Sequence, residues 1–184
     1  MVKIDEPKTS KPALTSSLFL TSVKSWHNDL GILLAVINVG QPVATEKETK
    51  VSVPVECEIQ EDMPKCRARV IGEDGQVVMT EDEMGNEVAK IEIIKNPETI
   101  TFWMGMSVED PENDEYKVFN LGSAFPLINY AFAKAGEVDA NNKKNLIFSY
   151  DELLDVLEGL EFRAKTETRK FNGRPYQVLI PSDL

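Results

Sequence analysis

The last 25 residues, 160–184, have the pattern of an antiparallel β-hairpin, and this hairpin constrains the fold more than any other segment. Apolar or small residues alternate with charged residues over 160–169, and a second apolar row follows over 176–180. That period of two is typical of strands with one buried face. The segment carries five basic residues against three acidic ones, in a protein whose formal net charge is −11. We refer to it as the C-terminal hairpin.

Two loop lengths are open for this hairpin. A two-residue Asn172-Gly173 turn of type I′ is the strongest short-range hairpin signal. It would, however, pair Thr168 with Gln177 and place the two apolar rows on opposite faces. A three-residue loop of residues 171–173 pairs Thr168 with Tyr176 and keeps the apolar rows on one face. Because a slip of one residue moves every side chain to the opposite face, only one of the two loops can be right, and we predict the three-residue loop. The solvent face and the loop then carry Arg163, Lys165, Arg169, Lys170 and Arg174.

The middle of the chain predicts further antiparallel strands. Alternating segments separated by Gly and Asn turns lie at 51–59, 66–70, 77–80, 88–94, 100–104 and 116–119. The short link 60–64 predicts that the first two pair as a hairpin. Because proline has no N–H for a ladder, Pro54 and Pro175 predict edge strands.

Two short helices are predicted in the second half of the chain. The first has Ser123 as its N-cap and ends near Gly136, and the second has a capping box of Ser149 and Glu152 and ends at Gly159. Each has apolar residues on one face, so both are expected to pack against the strands.

Residues 14–39 leave two alternatives open: two strands, or a strand and a short helix capped near Asn28 or Asp29. Gly31 and the β-branched residues favour a strand over Ile32–Val39. We predict a flexible N-terminal arm over 1–13 and a single β-rich domain over 14–184. The fold class is mainly β (α+β), an antiparallel OB-like barrel or sandwich with two short helices.

The sequence lacks the motifs of common active sites. There is no glycine-rich phosphate loop, GxSxG, HExxH or CxxC, and the single His27 excludes a histidine metal cluster. We therefore predict a protein that is not an enzyme and holds no cofactor or metal; an enzyme that uses only carboxylates is a weaker alternative. The acidic loop 109–115 offers oxygen ligands for Ca²⁺, but it lacks the EF-hand spacing, and we predict a solvated charged loop.

Localisation is predicted from two observations. The N-terminal residues have no charged segment followed by an apolar core, so no signal peptide is expected. Cys57 and Cys66 could form a disulfide if their strands pair, but two buried thiols in a reducing compartment are favoured. We expect a soluble protein of the cytoplasm, or of the host cytoplasm if the protein is viral.

Two basic stripes with nearby aromatic residues indicate a partner. Cations that follow phosphates and aromatic rings that stack on bases are the elements of a surface for single-stranded nucleic acid. The predicted nucleic-acid-binding residues are Arg67, Arg69, Trp103, Arg163, Lys165, Arg169, Lys170 and Tyr176. The alternative is that these cations only form the wet face of amphipathic strands, with Glu58, Glu161 and Glu167 as counterions.

The C-terminal third resembles a family of small phage- and prophage-encoded proteins. The resemblance lies in FNLGSAFPLINYAF, the capped helix SYDELLDVLEGL and LEFRAKTETRKFNGRPYQVLIP. Proteins of this kind are replication and recombination accessory proteins, several of which bind single-stranded DNA through an OB-like barrel. The resemblance implies a non-enzymatic single-stranded-DNA-binding accessory protein. The alternative is a structural or protein-interaction module, such as a virion or assembly component, that associates with itself or with other proteins and binds no nucleic acid.

Overall fold

A computed structural model describes residues 11–26, 30–45, 49–62, 65–74 and 76–184. Within these residues the chain forms thirteen β-strands, three α-helices and one 3₁₀ turn. The strands are β1 (Lys11–Ala13), β2 (Ile32–Val39), β3 (Val43–Ala44), β4 (Lys50–Ile59), β5 (Cys66–Ile71), β6 (Met79–Glu81), β7 (Glu87–Ala89), β8 (Ile91–Ile94), β9 (Thr99–Asp110), β10 (Glu115–Val118), β11 (Leu146–Ser149), β12 (Glu161–Phe171) and β13 (Arg174–Ser182). The helices are α1 (Ser16–Trp26), α2 (Phe125–Lys134) and α3 (Tyr150–Leu157), and the 3₁₀ turn is Pro111–Asn113.

Most strands belong to one large antiparallel sheet. Its order is β11-β10-β9-β4-β2-β12-β13, with β3 paired to one end of β4. A three-stranded sheet has the order β1-β5-β8, and β6 and β7 form a separate two-stranded ribbon. The described strands leave the large sheet open, with β11 and β13 at its two edges. The predicted mainly β, α+β class with antiparallel sheets is confirmed.

The helices pack on one face of the large sheet and form the core with it. The register places Phe102 of β9 and Phe148 of β11 on the same face. Phe19 of α1 contacts Phe102 edge-on, with ring centroids 6.2 Å apart. The ring centroids of Phe132 of α2 and Phe148 are 5.2 Å apart. Leu157 of α3 is fully buried in the same cluster. Burial of these apolar side chains is the main source of stability.

Residues 14–39 form a helix followed by a strand. The predicted strand Ile32–Val39 is confirmed as β2. The helix precedes it rather than beginning at Asn28 or Asp29, which lie outside the described residues. Thr15 precedes α1 and caps it, because its Oγ1 accepts a hydrogen bond from the Leu18 N–H. This third helix was not predicted as such, because β-branched residues and serines interrupt its apolar spacing.

The two helices of the second half are confirmed, with one change. The capping box of α3 is present: the Ser149 side chain accepts from Glu152 N–H, and the Glu152 side chain accepts from Ser149 N–H. The N-cap of α2 is Ala124, not Ser123, and it makes no side-chain cap. Gly136 and Gly159 follow their helices with positive φ, as a C′ glycine does.

The predicted hairpin between 51–59 and 66–70 is wrong. The first segment is β4, which pairs with β2 on one side and with β9 on the other. Since both edges of β4 are occupied, β5 pairs with β1 and β8 in the small sheet instead. The predicted single strand 88–94 is also two strands, since β7 pairs with β6 and β8 pairs with β5.

The prediction that Pro54 marks an edge strand is also wrong, since β4 is central. Pro54 is tolerated because β2 ends near it: the last β2 pair is Val39 with Val55, and Gly40 N–H donates to the Pro54 carbonyl at 2.8 Å. The missing N–H of Pro54 therefore falls in the gap where the neighbour of β4 changes from β2 to β3. The other proline prediction is confirmed, because Pro175 lies on the edge strand β13.

Cys57 and Cys66 are both buried thiols that form no disulfide, and they lie on strands of different sheets. The prediction of two buried thiols is confirmed. Burial, followed by the nearby Glu56 carboxylate, raises the pKa of Cys57 to about 12. Burial also raises the pKa of Cys66, against a smaller opposing effect of a hydrogen bond with Ser22.

We expect Cys57 to resist alkylation at pH 8 in the folded protein. Its thiol stays protonated far below a pKa of about 12, and the thiolate is the reactive form. In urea the pKa returns to about 8.5, and alkylation should become fast. Peptide mass spectrometry after iodoacetamide treatment, with and without urea, measures both states. Equal labelling of Cys57 in the two states would contradict the burial.

The start of β2 generates a stability prediction. Gly31 has φ +70°, and a Cβ built on it would lie 2.7 Å from the carbonyl oxygen of Ala164. Gly31→Ala should therefore lower the free energy of unfolding by about 1–3 kcal/mol from the backbone conformation alone, measured by urea unfolding. Gly105→Ala is the matched control, because nothing lies within 4 Å of its Cβ position and its φ is not positive. An equal loss for both variants would refute the close approach of Gly31 to β12.

Candidate functional site

The C-terminal hairpin closes with a two-residue turn. Asn172 and Gly173 have φ of 51° and 77°, as a type I′ turn requires. Phe171 pairs with Arg174, and Thr168 pairs with Gln177. The predicted three-residue loop, with Thr168 opposite Tyr176, is therefore wrong.

The reason lies in the burial of β13. The sequence favours the longer loop because the short one separates the apolar rows of the two strands. That separation carries no penalty here, since Val178 and Leu179, on opposite faces of β13, are both buried. The intrinsic preference of Asn-Gly for the type I′ turn then decides the register.

The register divides the hairpin side chains between two faces. The face that we call the arginine face carries Arg163, Lys165, Glu167, Arg169 and Phe171 of β12, with Arg174, Tyr176, Val178, Ile180 and Ser182 of β13. The opposite face, the threonine face, carries Thr166, Thr168, Lys170, Pro175, Gln177 and Leu179. Lys170 thus faces away from Arg163, Lys165 and Arg169, contrary to the predicted single basic face. Tyr176 lies opposite Arg169 instead of opposite Thr168.

Beyond its base the hairpin is a two-stranded ribbon. Strand β12 pairs with β2 only over Glu161–Ala164, where Ala164 lies opposite Ile32. From Lys165 onward the only strand paired with β12, among the described residues, is β13. We call residues 165–180 the distal ribbon.

Polar contacts fix the threonine face to α1. Thr166 Oγ1 donates to Gln177 Oε1 at 2.6 Å, and Gln177 Nε2 donates to Thr168 Oγ1 at 3.0 Å. Lys24 Nζ of α1 donates to the same Thr168 oxygen at 2.7 Å. This network ties one face of the distal ribbon to α1. At the end of the ribbon both faces are exposed: Lys170 and Pro175 on the threonine face, and Phe171, Arg174 and Tyr176 on the arginine face.

The end of the arginine face combines exposed rings with guanidinium groups. Phe171 is 70% exposed and Tyr176 is 37% exposed. Phe171 is directly opposite Arg174, and Arg169 is directly opposite Tyr176, so the rings lie on one diagonal and the arginines on the other. We call these four residues the tip quartet. The selection of site residues from the sequence missed Phe171 and Arg174, although their position beside the Asn-Gly turn could have placed them together.

Two arginines of the arginine face have carboxylate partners. Arg169 Nη2 and Nε each lie 3.2 Å from Glu167 Oε2, and both residues are on β12. Arg163 Nη1 lies 2.9 Å from Glu61 Oε1, a partner that the sequence did not indicate. Glu167 is one of the counterions that the wet-face alternative named, whereas the pairing of Arg163 with Glu61 leaves the Arg163 side chain only 31% exposed.

The other predicted site residues lie apart from the tip quartet. Arg67 and Arg69 are exposed on β5, in the small sheet, and α1 packs between β5 and the strands β12 and β13. Trp103 of β9 is 56% exposed on the same sheet face as the arginine face. On this face of the large sheet, three glutamates lie between Trp103 and the distal ribbon, namely Glu56, Glu58 and Glu161. The structure thus brings together Arg169 and Tyr176, with Lys165 farther along the same face.

The acidic loop 109–115 is an ordered turn. Asp110 caps the 3₁₀ turn by accepting from Glu112 N–H, and Asp114 has φ +48°. Within the described ranges, no group of three or more His, Cys, Asp or Glu side chains is placed to hold a metal ion. No helix in those ranges has the length and apolar character needed to cross a membrane.

Comparison with protein-family models, with curated proteins and with solved structures gives no match to this chain. The interpretation of the site therefore depends on its own geometry and chemistry.

The register of the ribbon can be tested by cross-linking. Thr168 and Gln177 are directly opposite each other, and such a pair falls within the Cα separation that a disulfide spans. We expect T168C/Q177C to form a disulfide on mild oxidation, detected by its mass and by its mobility without reductant. T168C/Y176C is the matched control, because its side chains point to opposite faces. Efficient cross-linking of the control alone would restore the three-residue loop.

Proposed function

We propose that this protein is a non-enzymatic accessory protein that binds single-stranded DNA in phage-type replication or recombination, with the tip quartet as its contact surface. The observation that supports this most is the sharing of one exposed face by two aromatic rings and two arginines. The phage-type context comes from the resemblance of the C-terminal third alone.

The chemistry of the tip quartet suits unpaired bases. A base can stack on an exposed ring only if its own faces are free, and such stacking is worth about 1–3 kcal/mol per base. Arg169 and Arg174 lie beside the two rings, so they are in position to contact the phosphates of the stacked nucleotides. Phe171 and Tyr176 would each receive one base.

The charge of the whole protein favours a local contact. Duplex DNA carries one negative charge per about 1.7 Å of axis, and a protein of net charge −11 repels it over most of its surface. A short single strand held at the end of a projecting ribbon avoids that repulsion. Lys165 lies on the same face and Lys170 at the same end, so both add attraction at longer range.

Arg67, Arg69 and Trp103 have a different place in this proposal. Arg67 and Arg69 form a second basic patch, on the small sheet. Trp103 is beyond the three glutamates, so a strand bound at the tip quartet would cross an acidic band to reach it. We therefore assign the primary contact to the tip quartet.

The alternative function, a structural or protein-interaction module, is favoured by a different feature. The β6–β7 ribbon is almost fully exposed, and residues 79–89 carry four carboxylates and no basic residue. Met84, in the turn between β6 and β7, is 87% exposed. Such a surface repels nucleic acid and suits a basic protein partner.

Binding can be tested by fluorescence anisotropy with labelled oligo(dT) at low salt. Phe171→Ala and Tyr176→Ala should each weaken binding by about 1–3 kcal/mol, because each removes one stacking ring. Contact of two phosphates predicts a slope near −1.4 for log K against log salt, at about −0.7 per phosphate on a single strand.

Phe119→Ala is the control for these variants, since Phe119 is an aromatic residue of 47% exposure that lies after β10 and off the ribbon. Its affinity should equal that of the wild type. No binding by the wild type at low salt, together with a large assembly in light scattering, would favour the interaction module.

A further inference from the structure

We infer that Glu167 limits the bound strand to the tip quartet, so that each ribbon holds two bases and excludes the next phosphate. This inference rests on the proposed function, because it names the extent of the same site. It goes beyond that function by assigning Glu167 the role of a residue that opposes binding of a third nucleotide.

The residue pairs of the arginine face form successive rows along the ribbon, spaced by about 6.8 Å. The first row is Phe171 with Arg174, and the second is Arg169 with Tyr176. Each of these rows offers one ring and one guanidinium group, which is what one nucleotide needs.

The third row has the opposite character. It consists of Glu167 and Val178. Val178 is only 1% exposed, so it offers no surface for a base. The Glu167 side chain is 55% exposed, and its carboxylate would face the phosphate of a third nucleotide. The two negative charges, the carboxylate and that phosphate, repel each other.

Glu167 also acts on the second row through Arg169. Its Oε2 is 3.2 Å from both Nε and Nη2 of Arg169, so it occupies part of the donor set that a phosphate would use. A bound strand must share Arg169 with Glu167 or displace it. Glu167 therefore lowers the affinity of the second row for a phosphate and opposes the binding of a phosphate at the third row.

Removal of this carboxylate should extend the site toward the base of the ribbon. The fourth row is Lys165 with Ile180, on the same face. Val178 still offers no surface for a base in row three, but without the negative charge the backbone of a strand bound at the tip can pass along the exposed β12 side of that row. One more phosphate would then reach the Lys165 ammonium group.

The test compares wild-type protein with Glu167→Gln, which keeps the shape and removes the charge. With labelled oligo(dT) at about 50 mM salt, we expect Glu167→Gln to bind about 1.4- to fivefold tighter, the range that an exposed ion pair accounts for. The slope of log K against log salt should become steeper by about 0.7, for one more phosphate.

Amide NMR spectra locate the change on the ribbon. Addition of oligo(dT) to the wild type should shift the amides of residues 168–177 only. In Glu167→Gln the shifts should extend to Lys165 and Ile180. Shifts that reach both residues in the wild type would overturn the inference, because Glu167 would then set no boundary.

Glu161→Gln is the matched control, with the same change of net charge on the same face of β12. It lies about 27 Å from Arg169 along the strand, well beyond the Debye length of about 10 Å at 0.1 M salt. Its affinity should match the wild type. An equal gain for both glutamine variants would overturn the inference in favour of a net-charge effect.

The remaining outcomes separate the inference from the function on which it rests. If the wild type binds and Glu167→Gln binds equally or more weakly, the inference fails while the proposed function stands. Weaker binding would mean that Glu167 orders Arg169 for binding. If neither protein binds at about 20 mM salt, the proposed function fails, and the inference fails with it.

Discussion

The pairing of β2 with β12 is the contact on which the rest of the structure depends. Leu34 lies opposite Phe162 at its centre, and both side chains are fully buried. The pairing joins segments from opposite ends of the chain, so it closes a long loop whose entropic cost is met by burial of apolar surface. Without it the core face would be divided, and β12 would have no base from which to project.

The end of that pairing determines the site. Strand β2 begins directly after Gly31, which lies too close to Ala164 for any side chain. Beyond this point β12 continues with β13 alone, and its threonine face is held by Lys24 of α1. The tip quartet is therefore a consequence of where the large sheet stops.

Much of the fold could be predicted from the sequence, because its signals are local. The alternation of β4 and β9 and the capping box of Ser149 and Glu152 depend on neighbours in the chain, and both predictions are confirmed. The pairing of β5 and the tolerance of Pro54 depend on which strand edges are already occupied, and no local pattern carries that information. The helix α1 was missed because its spacing is imperfect and its partners, such as Phe102, are distant.

The candidate site was predictable in composition and not in arrangement. The sequence identified Arg169 and Tyr176 but placed them on different faces, because the parity of the apolar rows favoured the wrong loop. Only the burial of β13 on both faces explains why the short Asn-Gly turn is accepted. The partners of the cations, Glu61 and Glu167, likewise follow from register and proximity in space.

The edge position of Pro175 has a consequence for how other chains can approach. In a two-residue hairpin the pair beside the turn is hydrogen-bonded, so alternate residues of β13 point their backbone groups away from β12. Those residues are Pro175, Gln177, Leu179 and Pro181. Proline supplies no donor at either end, which leaves two outward N–H groups, too few to template a further strand. The ribbon can therefore carry exposed rings at its end without offering its flank as a seed for sheet-to-sheet aggregation.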